Sequence, residues 1–88
     1  MNWRERFSKI TNVNQLIVGE LYLYTIKDSK DTYYCKITKL SGGEFIGDFW
    51  NTSYGKDKSK VRHIIKGVTY GNSIFGAVEM VKEDELEK

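Results

Sequence analysis

The chain of 88 residues has no proline, one cysteine and one histidine. Cys35 has no second thiol to pair with, so an internal disulfide is excluded and a reducing compartment is the natural setting. His63 is the lone imidazole, which rules out a histidine-rich zinc or iron site built by one chain. No metal or cofactor is expected. The missing prolines, about four at average usage, remove any proline-rich linker. No apolar run approaches the roughly 18–20 residues of a membrane-spanning helix. Residues 1–10 alternate charge with aromatics where a signal peptide would place an apolar core. The expected location is cytoplasmic, with no membrane contact.

What is present is ordinary for a folded domain. Hydrophobic residues make up 40% and charged residues 30% of the chain, with a net charge of only +2, which separates it from disordered chains of low apolar content and high net charge. This length holds one core, so residues 1–88 are expected to form a single domain. The richness in Lys, Ile, Asn and Tyr is what AT-rich coding gives, in the style of bacteriophage and mobile-element proteins.

Periodicity gives a coarse map. Trp3, Phe7 and Ile10 stand at i, i+4 and i+7, which predicts a short N-terminal helix over 1–10. Residues 16–26 are dominated by aromatic, β-branched and other apolar types and predict a first strand, with Gly19 marking a bend. Asp28, Ser29 and Asp31 supply turn chemistry before a second strand over 32–40. Gly42 and Gly43 make a tight turn before a third over 44–50. Residues 51–60 read as the longest loop, 61–66 as a fourth strand and 73–81 as a fifth. A C-terminal helix over 77–86 is the weaker alternative to that last strand. Residues 83–88 form an acidic, solvated tail.

Five short strands with tight turns predict a mainly β fold, either a small antiparallel barrel or a strongly bent sheet, because closure removes exposed edges. The layout resembles SH3-like barrels over residues 16–81. The resemblance rests on Val18-Gly19-Glu20-Leu21-Tyr22 opening the first strand, a hairpin turn over 28–31 and glycines at the bends. It implies a barrel core but no ligand groove, since no proline-recognising aromatic set can be assigned.

Catalytic chemistry is not specified. Cys35 and His63 could nominally form a thiol–imidazole pair, but Cys35 sits in an apolar strand where a buried, inert thiol is expected. Asp28, Asp31, Glu44 and Asp48 flank turns, where carboxylates cap backbone. Neither glycine-rich stretch is followed by the lysine and helix of a phosphate loop. The expectation is a binding protein, not an enzyme.

Two features point to binding. Residues 51–70 hold Lys56, Lys58, Lys60, Arg62 and Lys66 against Asp57 alone. On an extended backbone the alternation of Lys56, Lys58, Lys60 and Arg62 would project four cations to one side. Trp50, Tyr54 and Tyr70 flank this ridge and could stack on bases. The second feature is aromatic abundance: six Tyr, four Phe and two Trp are more than so small a core is expected to bury whole. Tyr22, Tyr24 and Tyr34 on the first hairpin are therefore expected to give an exposed tyrosine face of the kind protein interfaces favour. The first hypothesis is a regulator or inhibitor that binds an acidic protein partner through this face and the ridge. The alternative is an RNA- or DNA-binding barrel using the ridge and its flanking aromatics, although a pI near 8.6 is low for a dedicated nucleic-acid binder. The sequence leaves the oligomeric state open.

Overall fold

Turn chemistry sets the sheet. The computed structural model describes residues 9–83. Within them five strands form one antiparallel sheet: β1 (Leu21–Ile26), β2 (Thr32–Ser41), β3 (Glu44–Asn51), β4 (Ile65–Gly71) and β5 (Val78–Lys82). The β1–β2 turn passes through Asp28 in the left-handed region at φ 65°, which a short polar side chain tolerates. Gly42 and Gly43 make the two-residue β2–β3 turn, both at positive φ, as a primed hairpin turn requires. The strand order is β4-β3-β2-β1-β5, so β1 to β4 run as a meander and β5 returns to the far side of β1.

The mainly β, five-stranded expectation is met by an open bent sheet, not by a closed barrel. β4 and β5 do not pair with each other. The connection between them is a 3₁₀ turn, Asn72–Gly76, that packs Ile74 and Phe75 onto the core instead of carrying a ladder across the gap. Bending is nevertheless strong. The rings of Tyr24 on β1 and Tyr70 on β4 stack with centroids 6.4 Å apart, although β2 and β3 lie between them. Flat spacing would hold those two backbones about 14 Å apart. Two bulges account for much of the curvature. Thr38 is the extra residue on β2 opposite β3, and β4 carries its extra residue at Lys66 and Gly67, with Gly67 at φ 66°. Gly47 lies where both bulges meet β3. A Cβ there would stand 3.0 Å from Cys35 Sγ and 3.0 Å from the Lys36 carbonyl oxygen, so only glycine fits without displacing a neighbour.

Element boundaries differ from expectation for identifiable reasons. Most of the expected helix over 1–10 lies outside the described residues. Its last position, Ile10, is extended and bridges Met80, its N–H donating to the Met80 carbonyl at 2.8 Å. Residues 16–20 are not strand. Leu16 is buried directly after a 3₁₀ turn, Val13–Gln15, that Asn12 and Gln15 cap reciprocally, and the chain then reverses through Gly19 at φ 89°. The fourth strand starts four residues later than expected, at Ile65 and not 61, because Val61 and Ile64 are used to cover the sheet instead of extending it. The fifth begins at Val78, and the helical alternative does not form over 78–82. Glu83, expected in a solvated tail, is buried and paired with Lys56 at 2.5 Å. Residues 84–88 lie outside the described residues.

Both faces of the sheet are covered. The concave face carries the main core of Tyr22, Tyr24, Cys35, Ile37, Phe45, Phe49 and Met80, over which Val13, Leu16, Ile74 and Phe75 close. The convex face carries a smaller cluster of Leu23, Tyr34 and Trp50, sealed by Val61 and Ile64 from the long 52–64 connection.

Candidate functional site

Burial decides which of the sequence-predicted groups can meet a partner. Tyr22 is fully buried, and Tyr24 and Tyr34 are each less than a tenth exposed. Tyr22 hydroxyl accepts the Ile17 N–H at 2.9 Å, tying the entry segment to β1. Tyr34 packs against Trp50 under the 52–64 cover. The expected exposed tyrosine face is thus not formed: alternation along β1 sends Tyr22 and Tyr24 to one core and Leu23 to the other, because a sheet covered on both faces has no outward side. Trp50 is likewise buried, with its indole N–H donating to the Gly55 carbonyl at 2.8 Å, and has no ring face to offer a base. Tyr70 is half-buried among Tyr24, Phe45 and Phe49. Tyr54 alone of the predicted stacking groups is exposed, its ring tilted against His63 at 6.0 Å.

The basic ridge is dispersed. Residues 58–60 form a 3₁₀ turn, with about three residues per turn, so alternating positions do not share a side as they would in a strand. Lys56 reaches Glu83, Lys60 stands 3.9 Å from Asp57, and Lys58 binds Asp48. Asp48 is the hub here: its Oδ2 accepts from Lys58 and its Oδ1 accepts the N–H of the bulge residue Gly67 at 2.9 Å. Burial by itself would raise the Asp48 carboxyl, but the Lys58 and Gly67 hydrogen bonds and the charges of Lys58 and Lys66 outweigh it and hold the pKa below the ordinary aspartate value. Lys56, Lys58 and Lys66 do converge with Lys36 on a convex-side groove of about 670 Å³. Asp57 shares its rim, and Asp48 and Glu83 are already bound to two of its lysines, so the groove holds little uncompensated charge. Arg62 does not join it. It lines a different depression, of about 510 Å³, with Tyr54 and His63.

That depression adjoins a feature the sequence did not announce. On the concave side, a cleft of about 190 Å³ is walled by the rings of Tyr24, Tyr33, Phe49 and Tyr70. Ile26, Ile65 and Val68 complete its lining, and Ile26 and Ile65 are both exposed. Tyr33, Phe49 and Ile65 line both hollows, which are therefore neighbours. The rings are mutually braced: Tyr24 and Phe49 meet edge to face at 5.0 Å, and Phe49 and Tyr70 at 5.7 Å, a favoured arrangement for aromatic pairs. Burial first, then the neighbouring Tyr70, pushes the Tyr24 hydroxyl pKa well up, so it stays protonated. Period-two alternation could have placed Tyr24, Tyr33 and Phe49 on one face. Ile65 stands beside Phe49 by register, and the bend of the sheet brings Tyr70 round to Tyr24.

The nominal thiol–imidazole pair is not assembled. Cys35 is buried in the main core and burial drives its pKa upward, which suppresses the reactive thiolate, while His63 lies exposed beside Tyr54. Among the described residues no group of acidic, histidine and cysteine side chains could hold a metal ion, and no helix is long and apolar enough to cross a membrane. Comparison with known protein families, curated proteins and solved structures finds no match for this chain.

Proposed function

We propose that this chain is a non-enzymatic binding domain that takes an apolar anchor side chain of a protein partner into the concave aromatic cleft. The observation that carries the reading is the cleft itself: seven aromatic and aliphatic side chains line it, and two of them, Ile26 and Ile65, are left about half exposed at 46% and 59%. A volume of about 190 Å³ is below that of ordinary small-molecule sites, which run from about 300 Å³ upward, and suits one large side chain. Buried anchors of this kind dominate protein–protein binding energy. Arg62 on the adjoining depression gives this side of the cleft a cation, which favours a partner with acidic groups beside its anchor.

A second reading, binding of single-stranded nucleic acid, is favoured by Tyr54 exposed next to Arg62. It is the weaker one. Nonspecific strand binding uses successive rings with open faces, and the cleft rings cover one another.

The test is a titration of the full chain with N-acetylphenylalaninamide, followed by methyl and amide NMR. Shifts should cluster on Ile26, Ile65 and Val68, and Ile65→Ser should weaken the effect several-fold without unfolding the protein. Shifts scattered over the surface would sink the cleft reading. An oligothymidylate that instead binds tightly, with a steep salt dependence, would move the assignment to nucleic acid.

A further inference from the structure

We infer that the partner docks as an added strand on the outer edge of β4, and that this strand is acidic. The inference rests on the cleft reading and specifies how that site is approached. The two edges of the sheet are not alike. On β5, Ile10 donates its N–H to the Met80 carbonyl and Lys9 pairs with Glu79 at 3.2 Å, so the entry segment already lies along that edge. Of the described strands, β4 pairs with β3 alone. Among the described residues no other backbone segment hydrogen-bonds to it, and the bulge N–H of Gly67 is turned to the Asp48 carboxylate. An edge strand presents a row of unused backbone donors and acceptors, which is the template that strand-adding partners exploit.

β4 is also one wall of the cleft. Ile65, Val68 and Tyr70 face the concave side, opposite Phe49, Gly47 and Phe45 of β3. In an antiparallel pair, side chains on directly opposed residues share a face. A strand laid on β4 would therefore place every second side chain beside the cleft, where one of them becomes the anchor. The backbone would supply affinity and the cleft would select the side chain.

Charge then chooses among occupants. Residues 60–71 contain Lys60, Arg62 and Lys66 and no acid. Arg62 and Lys66 are exposed and have no ion pair among the described residues. A second copy of this chain, pairing β4 to β4, would bring together two segments that carry cations and no acid, with no countercharge for either. Lysine on an edge is a device that deters indiscriminate pairing. Toward an acidic strand the same charges attract, so the device discriminates between partners.

The probe is a capped peptide of about seven residues, the length of an ordinary strand, alternating glutamate with isoleucine around a central phenylalanine. Titrated into the full chain, it should shift the amides of residues 65–71 and slow their hydrogen exchange. Replacing its glutamates by lysines should weaken binding at least about tenfold. N-methylation along one backbone edge of the peptide should abolish binding. If the N-methylated peptide binds equally well and still shifts Ile26, Ile65 and Val68, the cleft reading stands and strand addition is overturned. If the unmodified peptide shifts only β5 or the 52–64 segment, both fail. Concentration-dependent self-association that protects 65–71 without peptide would identify the occupant as a second copy and overturn the acidic-partner inference.

Discussion

The two faces of the sheet are closed by different polar links. The concave face is covered by Val13 and Leu16 from one end and Ile74 and Phe75 from the other, tied down by neutral hydrogen bonds from the Val13 N–H to Asn72 and the Ile17 N–H to Tyr22, and it remains open where Ile26 and Ile65 meet solvent. The convex face is smaller, and its cover is fastened by polar bonds. Trp50 holds Gly55, Asp48 holds Lys58, and Glu83 holds Lys56. Both covers are irregular segments, whose own backbone polar groups need partners. Here two of the lysines that look like a binding ridge in the sequence, Lys56 and Lys58, serve as clamps for the cover.

If the convex cluster is a second core and not surface decoration, Trp50→Ala should cost about 3–5 kcal/mol, a large fraction of the stability of a small domain. Urea unfolding measures this directly, and a loss under about 1 kcal/mol would reduce the convex face to an incidental contact.

The Asp48 hub sharpens the comparison through pH. Its carboxyl pKa is lower in the folded chain than its ordinary value of 3.8. The carboxylate therefore contributes stability that is complete above the unfolded value and is lost as pH falls through the folded one. Asp48→Asn should cost about 1–3 kcal/mol at neutral pH and should flatten the fall in stability below pH of about 4. An unchanged acid profile would show that the clamp does not couple to folding.

The smallest effect separates clamp from surface within the same turn. Lys58→Ser should lower the urea midpoint, since it strands a buried carboxylate. Lys60→Ser should leave the midpoint unchanged within error, because that side chain is 81% exposed and its nearest carboxylate is 3.9 Å away. Equal effects would mean that the two lysines are interchangeable and that the clamp has no specific geometry.

Much of the fold was legible where local chemistry decides it. β2 and β3 lie almost where their residues predict, because Gly42-Gly43 fixes a hairpin and with it the register on both sides. Leu16 reads as strand because apolar type alone does not distinguish a ladder position from a buried loop anchor. Val61 and Ile64 misled for the same reason. The site was less legible. Trp50 and Tyr34 look like surface aromatics only if one face of the sheet is solvated, and no residue pattern announces that a polar loop will fold back over them. The salt links of Lys56 and Lys58 join residues far apart in the sequence, and spacing carries no signal of such pairs. The cleft depends on curvature, produced by bulges at Thr38 and Gly67 that bring β1 and β4 face to face.

The return of β5 to the side of β1 has a consequence for how the chain reaches this state. Tyr22 pairs with Lys82 and Ile26 with Val78, so the partner of an early strand is supplied by nearly the last part of the sequence. The meander β1 to β4 joins neighbours through short loops, apart from the long 52–64 connection, but the β1–β5 ladder closes a loop spanning most of the domain, and such contacts form late and slowly. During synthesis β1 is therefore an exposed edge until residues 78–82 have left the ribosome. The sequence of that edge, with Tyr22, Leu23 and Tyr24 in a row, is the kind that pairs with other chains if it waits too long.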